Sequence, residues 1–375
     1  MKISFRKLTL GALALGACVA AFGQSPVISS FSQNGELVCT NLLVGSMATV
    51  EWASFVTGPW TNNWAGLESV TADSNGIIRV SVPMFYRVRG VAAPAKMALI
   101  PAGTFQMGDA FNEGNGDERP THAVYVSGFY MDKYEVTKAL WDEVSQWATN
   151  HGYSLGGGGG KAENHPVQGI PWRGMVKWCN ARSEKEGRIP AYYTDAAQTD
   201  VYRTGGSDVQ NDWVKWNAGY RLPTEAEWEK AARGGLSGFR FPWGDTISHS
   251  QANYYSTRDY SYDVSPTQGL HPAYADGDEP HTAPAGLFGA SGYGLYDMTG
   301  NVWEMCWDWY DGGYYSTSPT SDPRGPATGN ERVRRGGGWG VGSPAYNCRV
   351  SFRASWPPNV FNDRVGFRCV LPLGQ

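Results

Sequence analysis

Backbone breaks and large rings set the terms for this chain. Its 375 residues include 48 glycines and 22 prolines, together with 16 tryptophans and 20 tyrosines. So many turn formers exclude a fold of long helices, and so many aromatic side chains supply the anchors of a core built from short pieces. Past residue 236 the sequence is interrupted by Gly, Pro, Asn and Asp too often for strands to be located well.

Three helices are nevertheless written clearly. Thr137 caps a segment in which Leu140, Trp141, Val144, Trp147 and Ala148 recur at helical spacing, and Gly152 stops it. Pro171 opens a second helix with Met175, Val176 and Cys179 on its apolar side, ending at Gly187. In the third, Thr224 and Glu227 stand at capping-box spacing and Gly234-Gly235 terminates the run.

Residues 24–92 have a different character. Short β-rich runs at Leu37–Leu42, Ala48–Phe55 and Gly76–Val91 are separated by turn signals, and the last alternates: Ile78, Val80, Val82, Met84, Tyr86 and Val88 share one face. This reads as a small, sandwich-like all-β module without clustered titratable groups. Residues 90–94 link it to the next domain.

Residues 1–23 read as a signal peptide. Lys2, Arg6 and Lys7 precede an apolar run to Phe22, and Ala21 and Gly23 suit a cleavage site. Leu15-Gly16-Ala17-Cys18 has the form of a lipoprotein box, which gives lipid anchoring through Cys18 as the alternative. Both predict a secreted or periplasmic protein, with cysteines free to oxidise. Loss of three basic residues takes the formal net charge from −4 to −7, which argues against nucleic acid as a partner. No later segment has the apolar length of a transmembrane helix.

Two loops imitate known sites and fail. Gly156–Gly160 with Lys161 lacks the first glycine and the hydroxyl residue of a phosphate loop. The acids of 109–118 do not alternate as calcium-loop ligands do, so that stretch reads as a solvated turn.

A series of motifs in fixed order is more specific. It runs Ile100-Pro101-Ala102-Gly103-Thr104-Phe105-Gln106-Met107-Gly108, Phe129–Thr137, His165-Pro166-Val167, Tyr220–Glu229 and Pro242-Trp243-Gly244. Gly294–Glu304, Arg335-Gly336-Gly337-Gly338-Trp339 and Gly366-Phe367-Arg368-Cys369 close it. Over residues 95–372 the chain resembles the formylglycine-generating enzyme, or sulfatase-modifying factor, domain family. The resemblance implies an α+β, C-type-lectin-like fold of low regular secondary structure.

Asp297 and Glu304 bracket Gly300 and Asn301 in a stretch whose hard oxygens suit calcium, although a plain turn stabilised by Glu304 accounts for the spacing equally well. The resemblance implies structural calcium on the Asp297 and Glu304 side chains and the Gly300 and Val302 carbonyls. It implies a second site on Asn253, the Tyr254 carbonyl and Asp276 or Asp278.

Family enzymes oxidise a sulfatase cysteine to formylglycine with oxygen and copper(I) held by two thiolates. Soft sulfur ligands suit that soft ion. Here the first thiolate position is Val341 and the second is Ala345 or Tyr346. Copper is therefore not expected, no catalytic residue is assigned, and the enzyme question stays open between a binding module and an altered oxidase. The resemblance also implies a Cys179–Cys369 bridge. The remaining Cys306 and Cys348 form the second expected pair, and Cys39 is left over. A cleft with Trp339 as its floor and Tyr346 and Trp356 on its rim is the expected place for an unidentified peptide, protein or glycan.

Overall fold

The computed structural model describes residues 27–31, 36–42, 44–52, 70–81, 86–90 and 94–374. The leader with Cys18 lies outside the described residues. The chain divides into two compact units, one up to Ala95 and the other from Lys96 to Leu373.

The first unit holds β1 (Val27–Phe31), β2 (Glu36–Thr40), β3 (Met47–Trp52), β4 (Val70–Thr71), β5 (Ile78–Ser81) and β6 (Tyr86–Gly90). They form two antiparallel three-stranded sheets, ordered β1-β2-β5 and β4-β3-β6. The run expected as one strand from Gly76 to Val91 is thus two strands in different sheets. Pro83, which has no amide hydrogen to give a ladder, falls between them. Cys39 is buried, and burial pushes its thiol up to about 12.

The second unit is the α+β, lectin-like part. β7 (Met97–Ile100), β10 (Phe129–Asp132) and β15 (Val370–Pro372) form one antiparallel sheet with β10 central. β8 (Gly103–Met107) pairs with β9 (His122–Val126). The third sheet runs β13 (Ala354–Trp356), β12 (Arg332–Arg335), β11 (Trp303–Trp309), β14 (Val365–Gly366), its last pair parallel.

The three helices occur where their caps predict. They are α1 (Lys138–Thr149), α2 (Trp172–Lys185) and α3 (Glu225–Arg233). Thr137 accepts from the Leu140 amide, and the Thr224–Glu227 capping box is complete. Gly234 ends α3 at φ 58°, a left-handed conformation that glycine adopts without a Cβ penalty.

Tryptophan is the main packing material. Trp141 stacks on Trp178, and Phe367 meets both edge-on; Trp172 and Tyr192 pack on Trp307. Such rings combine large apolar area with an N–H that needs a partner, and here Trp172 donates to the Cys306 carbonyl and Trp178 to that of Trp141.

Buried ion pairs fix the remainder. Glu225 accepts from Arg353 and Arg335, and Glu229 from Arg335 and Arg233. Glu118 takes both Arg349 amino groups and the Ser351 hydroxyl. The 109–118 stretch is exposed in its middle, as a solvated turn, but its end acids Glu118 and Asp109, whose carboxylate caps the Phe111, Glu113 and Gly114 amides, are buried and anchor it. Buried carboxylates persist only with such partners. The consequence is positional: Arg335 lies at one end of the 335–353 segment and Arg349 and Arg353 at the other. All three are tied to acids on α3 or the 109–118 loop.

Candidate functional site

That clamped segment carries the expected thiolate positions. Val341 lies on the surface at 62 % exposure, whereas Ala345 is fully buried in a short 3-10 turn, Ala345–Cys348. Tyr346 is half-buried, stacked on Tyr260 with its hydroxyl accepting from Asn115 Nδ2. No sulfur stands at these positions. Cys348 is fully buried under the glycine turn, where a Cβ at Gly337 would come within 2.7 Å of its Sγ, and burial pushes its thiol well up. The donor set does not fit copper(I), which needs accessible soft ligands.

The neighbouring aromatic side chains do not form the cleft expected. Trp339 is 1 % exposed, packed between His281 and Arg364, and cannot serve as a floor open to ligand. Instead a row of rings leads inward from the surface: half-buried Tyr260 against half-buried Tyr346, Tyr346 against buried Phe352, Phe352 against buried Trp303. Trp303 donates to Ser343 Oγ at 2.8 Å, and Arg334 lies over both Trp303 (4.3 Å) and Trp356 (4.8 Å). Arg334 has no carboxylate hydrogen-bonded to it among the described residues, and burial brings its guanidinium down to about 10.

The first calcium set comes together in part. Asp297, Glu304 and Glu135 are all buried, with Arg368 the buried cation that pairs with Glu304 at 2.6 Å. Glu304 also accepts from Trp228 Nε1 (2.8 Å), and Glu135 holds the Val302 amide and the Asn301 side chain. Three carboxyls against one guanidinium leave negative charge uncompensated. Burial first, then Asp297 and Glu304, pushes Glu135 up, while burial takes Asp297 to about 6. Asp297, held at φ 54°, has an Oδ1 with no hydrogen-bond partner. An orphaned buried carboxylate oxygen within surplus negative charge fits a hard cation. Among the described residues no three His, Cys, Asp or Glu side chains converge as a ligand set, so carbonyls such as those of Gly300 and Val302 would have to complete it.

The second set is linked only through its neighbours. Asn253 donates to His281 and Asn301, and the Tyr254 carbonyl faces His249 Nε2. Asp276 instead pairs with Lys161 at 2.5 Å, whose Nζ also reaches the Asp278 carbonyl. Asp276 also stands 3.5 Å from His281 Nδ1, the residue whose carbonyl Asn253 meets, and the buried Asn253 Oδ1 has no hydrogen-bond partner.

The cysteines divide similarly. Cys179 and Cys369 lie with their sulfurs 3.6 Å apart, both as thiols. The Cys306–Cys348 pairing is not supported: Cys306 belongs to the cluster around Trp228, and Cys348 to that around Phe241 and Tyr254.

Sequence reasoning missed Glu135 and Asp308. Asp308, in β11, accepts from the Glu225 amide at the start of α3 (2.8 Å), and burial followed by the Glu225 charge raises it to about 8. Neither is a lone acid in its stretch, since Asp132 and Lys133 precede Glu135 and Glu304 shares β11 with Asp308, so no local signal marks them.

Comparison with known proteins now decides the family. Residues 87–373 match the sulfatase-modifying factor enzyme 1-like domain. The chain belongs to this family. It is 36 % identical over 295 residues to the formylglycine-generating enzyme of Streptomyces coelicolor, covering 72 % of this chain and 87 % of that one. The Mus musculus formylglycine-generating enzyme is 33 % identical, covering 74 % and 75 %. Among solved structures, Treponema denticola variable protein 1 superposes with a TM-score of 0.54 at 28 % identity, covering 78 % of this family member and 97 % of its own chain. CarF gives 0.55 at 25 % identity, covering 75 % and 99 %. Among the described residues, no helix of this member is long and apolar enough to cross a membrane.

Proposed function

We propose that this family member is an exported, non-catalytic binding protein, in which the formylglycine-generating scaffold presents an aromatic surface to a peptide, protein or glycan. One observation carries the reading. The positions that would hold copper offer a solvent-facing valine and, for the second, a buried alanine or a phenol engaged by Asn115. Valine and alanine have no donor atom, and a phenol is a hard ligand for a soft ion. The half-buried rings Tyr260, Tyr346 and Trp356, with Arg334 over Trp356, are the surface proposed for the ligand, since rigid rings give contact area at low entropic cost.

In the same reading Asp297, Glu304 and the Gly300 and Val302 carbonyls hold a structural calcium ion, with Glu135 adding charge beside them. The ion supplies the compensation that Arg368 alone does not. Cys179 and Cys369 are joined in the exported protein.

The rival reading, a formylglycine-forming oxidase with an altered site, draws on the activity for which the curated relatives are named. The deciding experiment incubates the purified protein with a Cys-x-Pro-x-Arg peptide, copper and reductant, followed by mass spectrometry. No aldehyde product above the no-enzyme control is expected. An aldehyde product overturns the binding reading and makes Cys348 the first residue to mutate.

A further inference from the structure

Three asparagines in this chain are followed by glycine: Asn34, Asn75 and Asn115. Asn34 lies outside the described residues. At such a pair the next backbone nitrogen stands close to the side-chain amide carbon, and glycine has no Cβ to shield it. The fold treats the two described pairs in opposite ways. Asn75 is exposed, but Gly76 is buried and its amide donates to the Asp73 carbonyl at 2.9 Å. Gly76 also packs so closely on Leu42 that a Cβ would come within 2.1 Å of the Leu42 carbonyl oxygen. Asn115 and Gly116 are both exposed, in the solvated middle of the 109–118 loop. The Gly116 amide has no hydrogen-bond acceptor among the described residues. Beyond its chain neighbours, no atom lies within 4 Å of where a Gly116 Cβ would stand. The Asn115 side-chain nitrogen donates to the Tyr346 hydroxyl.

We propose that Asn115 is a site of spontaneous deamidation, which sets a carboxylate beside Tyr346. The Gly116 amide nitrogen gives up its proton to solvent and attacks Asn115 Cγ. The new N–C bond closes a cyclic imide, the Cγ–Nδ2 bond breaks, and the nitrogen takes up a proton and leaves as ammonia. Water then adds to one of the two imide carbonyls and opens the ring, to aspartate or to isoaspartate. Water is the one co-reactant, and attack within a single chain needs only that both groups are free to approach. Either product ends the donation from Nδ2, so the Tyr346 hydroxyl turns from acceptor to donor. The new charge joins Glu113, Asp117 and Glu118 in the same loop, and isoaspartate lengthens the backbone between the anchors at Asp109 and Glu118. The chemistry is independent of the binding reading; only its effect on a ligand rests on Tyr346 belonging to that surface.

The test incubates the full-length protein in mildly alkaline buffer, folded and in guanidinium chloride, and follows Asn115 and Asn75 by peptide mapping with mass spectrometry. In the folded protein Asn115 should convert at least tenfold faster than Asn75, with isoaspartate in its product peptide. In denaturant that ratio should collapse, because the Gly76 hydrogen bond and contact that protect Asn75 are gone. Gly116→Ala should slow conversion of Asn115 severalfold without moving the melting temperature, since the site has room for a methyl group and Gly116 is not in a left-handed conformation. Equal rates in the folded protein, a ratio unchanged by denaturant, or an undiminished rate in Gly116→Ala each overturns the proposal. The first two comparisons need no variant and decide the matter even if Gly116→Ala fails to fold.

Discussion

Asp308 makes the stability of this domain depend on pH in a direction opposite to that of an ordinary ion-paired carboxylate. It is buried at the start of α3, beside Glu225, and its carboxyl is raised from 3.8 to about 8. A carboxyl raised by folding keeps its proton in the native state while the unfolded chain loses it. Stability is then greatest at low pH and falls between pH 4 and 8, as the unfolded state alone ionises. At about 1.4 kcal/mol per unit, the span from pH 5 to 7.5 removes roughly 3 kcal/mol from the native state. In a domain of this size each kcal/mol moves the midpoint by about 2–4 °C, so a loss of roughly 6–12 °C is expected. Asp308→Asn keeps an oxygen to accept from the Glu225 amide and cannot ionise, so its profile should lack this slope and its advantage should grow with pH. The measurement is thermal unfolding of both proteins at pH 5, 6.5 and 7.5 in matched ionic strength. Parallel profiles would show that the Asp308 proton is not retained on folding and refute the reasoning.

Three further outcomes are expected. Non-reducing peptide mapping of exported protein should find Cys179 joined to Cys369, with Cys306 and Cys348 alkylated only after unfolding. Removing that bridge, which closes a loop of about 190 residues, should cost on the order of 5 kcal/mol in denaturant titrations. Arg353→Gln leaves Glu225 with one of its two arginine partners and should destabilise by about 3–5 kcal/mol in the same assay, the usual result of stranding a buried charge. Chelation should lower the melting temperature of the wild type but not of Asp297→Asn, since only an ion bound to the native state stabilises it. A curve indifferent to chelator counts against calcium.

The helices were legible because their ends are chemical. Thr137, Thr224 with Glu227, and Gly234 each satisfy or release a specific backbone group, and such signals are local. The family motifs likewise gave the lectin-like fold. The split of the Gly76–Val91 run was not legible, because alternation continues across Pro83 and no local rule says which sheet each half joins. Trp339 was misplaced for the opposite reason. A tryptophan next to a glycine turn carries no mark of burial, which here depends on Arg364 and His281 arriving from distant segments. Glu135 and Asp308 carry no local mark, since other charged residues stand close by in each motif. Their role depends on Asp297 and Glu225, more than 80 residues away in sequence.

The way the 335–353 segment is held has an evolutionary consequence. Its ends are fastened by Arg335, Arg349 and Arg353 to Glu225, Glu229 and Glu118. Val341 and Gly342, in between, face solvent. Side chains at these two positions can therefore change without loosening the frame around them. The same exposed span can accept new side chains at little cost in folding. In this architecture the chemistry of the exposed span is separable from the stability of the frame that holds it.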